Sequence, residues 1–210
     1  MLSILFGGQA YLGGNPLRND LPVLAFDNLA AWEAWLAEHG ASAEGFWMKL
    51  AKVGASRPVL SKADAVEGAL CHGWIDGQLA KYDDFYFLVR FTPRRRGSRW
   101  SAVNRDAAQR LLSAGRMSDA GRREVEAAKA DGRWDAAYLS QAKAKAPPDL
   151  LEALAANPAA ERTFAGIDGA NRYAVIYRVQ DAKNPETRAR RIAQYVEMLA
   201  RGETIHPRKG

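Results

Sequence analysis

One cysteine, Cys71, stands among 210 residues, so no internal disulfide framework is available. Histidines are nearly as scarce: His39, His72 and His206 are too scattered for zinc-ligand spacing, and we expect no metal site. Nowhere does the chain approach the ~18 to 20 uninterrupted apolar residues of a membrane span. The opening MLSILFGGQAYLGGNPLRND has no positive segment ahead of its short apolar start, and glycines interrupt it early. We therefore expect a cytoplasmic protein rather than a periplasmic one, with residues 1–20 as an extension without function. Gly8 and Gly13 fit the opening of a phosphate loop, but Gly14 and Asn15 stand where a lysine and a hydroxyl residue are required. With no serine elbow and no dinucleotide glycine pattern, nothing in the chain asks for a cofactor.

Acidic residues are missing from one place in particular. Phe85 to Arg105, FYFLVRFTPRRRGSRWSAVNR, holds six arginines and no aspartate or glutamate, so it carries the whole net charge of +6. The remaining basic and acidic residues balance. A generally basic protein spreads its excess; here one patch concentrates it, which points to a surface meeting something negative or planar.

What the chain does contain is enough apolar residue, 48%, for one ordinary core or two small ones. Asn28 is placed to begin a helix through Trp32, Trp35 and Leu36 that ends at Gly40. Gly45 to Lys52 alternates, with Phe46, Met48 and Leu50 on one face and Trp47, Lys49 and Ala51 on the other, as in a strand. Gly54 and Pro58 break it. Ser61, with Asp64 three residues on, caps a helix whose stripe of Val66, Ala69, Leu70, Gly73 and Trp74 extends the expected helix through Trp74. Phe85 to Thr92 alternates again and reads as a second strand, with residues near Leu21 to Phe26 available to complete a small sheet.

From Ser101 onward the pattern is helical. Ser101 and Ser118 cap helices ending at Gly115 and at Asp131–Gly132, while Pro148 and Pro158 suit first helical positions. Asp168 and Asn184–Pro185 open two more, and the lysines and paired prolines of Ala142 to Asp149 favour an extended linker. The expected organisation is α+β: a small antiparallel sheet with packed helices over 21–141, a linker at 142–149, and an all-helical domain over 150–210.

The runs ALCHGWIDGQ (Ala69 to Gln78), RFTPRRRGSRWSAVN (Arg90 to Asn104), GRM (Gly115 to Met117) and AAKADGRWDAAY (Ala127 to Tyr138) occur in a fixed order. With PPDLLEAL and AKNPETRARRI (Ala182 to Ile192), they resemble the YdeI/OmpD-associated, or bacteriocin-protection, family from roughly Leu21 to Arg208. That resemblance implies a link to stress or bacteriocin tolerance and to a porin-type partner, and implies no reaction.

Candidate ligand-binding residues follow from the chemistry of the central segment. Asp76, in a turn after Trp74, and Arg90, on the second strand, can form a pair that fixes a guanidinium fork suited to carboxylate or phosphate. Arg94, Arg95, Arg96 and Arg99 occupy a Pro- and Gly-bounded loop running into the helix at Ser101, whose first turn carries Asn104 and free N–H groups. Trp74 and Trp100 are candidate stacking faces. Arginines, a helix start and tryptophans together are the vocabulary of nucleotide or single-stranded nucleic-acid binding.

Each residue also has a plain structural reading. Trp74 lies on an apolar stripe and suits a core, Asp76–Arg90 suits a structural tie, and an arginine loop suits a solvated face. Arg188, Arg190 and Arg191, with Glu186 and Glu197 nearby, suit a solvated helix face. Catalysis has less to stand on, because adjacent helical residues such as Cys71 and His72 point apart. The expectation is therefore a non-enzymatic binding protein for an anionic small molecule or nucleic acid. The alternatives are a module for an acidic or porin-type protein partner, and an enzyme on a small metabolite using Asp76 or His72.

Overall fold

The computed structural model describes residues 21–54 and 60–207. The readings of residues 1–20 and of Pro58 lie outside the described residues. The chain divides between Ala137 and Tyr138 into two compact units.

Unit one is built on a four-stranded sheet of order β1-β2-β4-β3: β1 (Val23–Leu24), β2 (Phe46–Ala51), β4 (Tyr86–Pro93) and β3 (Trp74–Lys81). The sheet is mixed, β2, β4 and β3 being antiparallel and β1 pairing parallel to β2. Alternation in β2 and β4 puts Phe46, Met48, Leu50, Val89 and Phe91 on one face, where they bury against Trp32 and Leu36 of α1 (Leu29–His39) and Ala65 and Ala69 of α2 (Lys62–Cys71). Asn28 and Ser61 accept from the backbone N–H groups of Ala31 and Asp64, fixing where the two helices start.

The expected helix through Trp74 stops short. α2 ends at Cys71, Gly73 takes φ +74, and Trp74 opens β3. Glycine is the residue that adopts such a φ without steric cost, and it turns the chain out of the helix into the sheet. A second cluster forms where Leu70 and Cys71 meet α3 (Ala102–Ser113) and α4 (Asp119–Ala130) through Trp100, Ala108, Leu111, Met117 and Val125. Arg116, between α3 and α4, ties this side to α1 and α2 by bonds of 3.1 Å to both Glu33 and Glu67.

Unit two is helical: α5 (Pro148–Ala155), α6 (Pro158–Gly166), α7 (Gly169–Gln180) and α8 (Pro185–Ala200) around Leu150, Leu154, Val175, Ile176, Val179 and Leu199. Pro148, Pro158 and Pro185 occupy first-turn positions, where a missing N–H costs nothing. Two arginines expected on a solvated face serve as ties instead. Arg188 forms a bidentate pair with Asp149 (Nε–Oδ2 2.5 Å, Nη2–Oδ1 2.8 Å), and Arg191 donates to the Arg178 carbonyl. The Arg188 guanidinium holds the Asp149 carboxyl below the usual carboxylate range.

Candidate anion-binding surface

The six arginines of the central segment do not share one fate. β4 carries Arg90 at mid-strand, and the chain leaves it at Pro93 into a turn. That turn is tightly held: Arg94 N donates to the Gly73 carbonyl (2.9 Å), Arg95 N to Ser98 Oγ (3.0 Å), and Ser98 N to the Arg95 carbonyl (2.8 Å). Gly97, at φ +82, supplies the left-handed residue that the third position of this reverse turn needs. Arg133, paired with Asp131 at 2.8 Å, donates from Nη1 to the Ser98 carbonyl and anchors the turn from below.

Arg94 is buried, 6% exposed, with its guanidinium carbon 3.7 Å from the Trp100 ring centre and Nη1 3.4 Å from the Arg99 carbonyl. Trp100 is itself buried and meets Trp134 edge-on at 5.0 Å, so its open ring face is taken by Arg94. Trp74 is buried against α1 and donates its indole N–H to the Gly40 carbonyl at 3.2 Å. Arg99 and Asn104 are half-buried, Asn104 donating its backbone N–H to the capping hydroxyl of Ser101. Arg105 folds onto Asp106, with Nε and Nη2 each 3.0 Å from Oδ1.

Arg95 and Arg96 are different. Both are exposed at the apex of the turn, and among the described residues neither guanidinium has an ion pair within the fold.

Asp76 and Arg90 do not form the pair that the sequence allows. Directly opposed residues in an antiparallel pair share a face; Asp76 opposes Phe91, on the helix-covered side, so Arg90 points to the other. Asp76 lies 3.9 Å from Lys62 Nζ instead. Opposite Arg90 stands Trp47, a residue the sequence reading placed on a strand but not in a site. Only strand register brings the two together, and register is not written in either strand alone.

Among the described residues there is no grouping of three or more His, Cys, Asp and Glu side chains able to hold a metal. Nor is any described helix long and apolar enough to cross a membrane. Cys71 is 1% exposed, and its carbonyl accepts from Ser118 N (3.0 Å) and Oγ (2.8 Å), locking the end of α2 to the start of α4. Burial pushes its thiol up to about 11, and burial lowers the His72 pKa. A thiol held protonated is a poor nucleophile. At pH 8 we expect native Cys71 to react with iodoacetamide at least about tenfold more slowly than in the urea-unfolded chain. Mass spectrometry of timed samples measures this, and equal rates would show that the thiol is accessible and ionised.

Two family models match. Residues 24–124 match a domain of unknown function (DUF8412), which contains the whole arginine turn. No curated protein and no solved structure matches the chain. The three runs from Ala69 to Met117 thus fall in the first domain, while the stretch from Ala127 to Tyr138 falls in neither match. The second model covers the helices of unit two: residues 143–202 match the bacteriocin-protection, YdeI or OmpD-associated family.

Proposed function

We propose that the chain is a non-enzymatic, cytoplasmic binding protein whose arginine turn holds an anionic ligand, in a role connected with stress or bacteriocin tolerance as the family description implies. The supporting observation is the pinned turn from Arg95 to Ser98. It fixes the backbone by four hydrogen bonds and leaves two adjacent guanidinium groups exposed without a counter-charge among the described residues. Like charges side by side repel, and an anion relieves that repulsion while filling the planar donor forks. The turn leads straight into the capped start of α3, whose remaining N–H groups add a favourable field for negative charge.

Fluorescence anisotropy with a fluorescein-labelled oligothymidylate, used as a polyanion probe, tests the reading. Affinity should fall with salt by a log–log slope of about 0.7 per phosphate neutralised. The double substitution Arg95→Gln with Arg96→Gln should lower affinity about tenfold at low salt and flatten that slope by roughly one to two. An unchanged affinity in the double variant, or no binding by the wild type, overturns the proposal.

A further inference from the structure

We propose that the sheet face turned away from α1 and α2 holds a second site, for the carboxylate of a small molecule, between Trp47 and Arg90. The two residues face each other across β2 and β4. Trp47 is 3% exposed, yet among the described residues its indole N–H has no hydrogen-bond partner, and the buried Nε atom of the half-buried Arg90 has none either. A buried donor left unpaired costs roughly 1–3 kcal/mol, and here two such donors are direct cross-strand neighbours.

Two other buried indoles of unit one are satisfied. Trp32 and Trp74 give their indole N–H to the carbonyls of Ala65 and Gly40. The indole of Trp100 also has no partner among the described residues, but it lies under a guanidinium that can only donate. The Trp47 and Arg90 donors share a face, and a group that only accepts would satisfy both.

Charge and neighbours narrow the ligand. A carboxylate offers two acceptor oxygens to two N–H donors, and its single negative charge matches one guanidinium. Lys49, two residues along β2 on the same face, sits 4.6 Å and 4.2 Å from the ring centres of Tyr82 and Tyr86 and is occupied there. A phosphate dianion would need that second cation. Asp76 is on the opposite face, so this internal carboxylate does not reach the donors. The site differs in place and in ligand from the exposed Arg95–Arg96 turn.

Indole N–H resonances of the full chain in proton–nitrogen correlation spectra supply the test, with Trp47→Phe identifying the Trp47 signal. Sodium acetate should shift that signal saturably, while sodium chloride at matched ionic strength should not, and inorganic phosphate should act more weakly than acetate. Arg90→Gln should weaken the acetate response at least tenfold, whereas Arg95→Gln with Arg96→Gln should leave it intact even where polyanion binding is lost. A Trp47 signal indifferent to acetate in the wild type overturns the site without need of any variant. A response to phosphate equal to or stronger than that to acetate overturns the carboxylate assignment, and loss of the response in the Arg95/Arg96 double variant overturns the separation of the two sites.

Discussion

Replacing Trp32 with alanine should cost unit one about 3–5 kcal/mol, the range found when a large buried aromatic is truncated and its cavity only partly collapses. Trp32 is fully buried and central to the aromatic core. Its ring lies within 5.0–6.3 Å, centre to centre, of Phe26, Trp35, Phe46, Trp74 and Phe91, and its indole N–H bonds the Ala65 carbonyl at 3.0 Å. Helix α2 approaches this ring because Gly68 has no side chain: a Cβ there would stand 2.7 Å from Trp32 Cδ1. Truncation therefore empties the junction of α1, α2 and the sheet, which five aromatic neighbours cannot refill without leaving their rotamers. All six tryptophans of the chain precede Tyr138, so urea unfolding followed by tryptophan fluorescence reports on unit one alone. A loss below about 1 kcal/mol would mean that the cluster is looser than its geometry.

Local chemistry explains which parts of this fold are legible in the sequence. Ser61, Ser101, Ser118, Asp168 and Asn184 each accept from the backbone N–H three residues on, a contact complete within one turn, and every one marks a helix start where the sequence places it. β2 and β4 are legible because each buries one face and so alternates. β3 is not, because it is an edge strand with a register shift between Asp76 and Leu79 and mostly exposed residues beyond Ile75. Trp74 continues the spacing of α2, and only the positive φ at Gly73 separates helix from strand. The same limit applies to the site. Trp47 meets Arg90 through register, and Arg94 differs from Arg95 through burial; neither fact resides in the residues themselves.

That difference between neighbouring arginines sets the last expected result. Arg94→Gln should destabilise unit one by about 2–3 kcal/mol, the scale of a desolvated cation–π contact plus lost packing of a long side chain. Arg94→Lys should lose roughly half as much, since a lysine keeps the charge but not the planar face laid on Trp100. Arg95→Gln and Arg96→Gln, exposed at the turn's apex, should each stay within about 0.5 kcal/mol of the wild type. The same urea titration measures all four, and equal shifts for Arg94 and Arg95 variants would refute the buried stacking geometry. The contrast governs how binding data are read. A substitution at Arg94 that abolishes ligand binding speaks of a turn that has lost its support on Trp100, because the Arg94 guanidinium stacks on that ring and donates to the Arg99 carbonyl. Only Arg95 and Arg96 can be neutralised with the turn intact, so a charge-dependent affinity lost at those two positions, with the unfolding midpoint unchanged, identifies the surface that meets the anion.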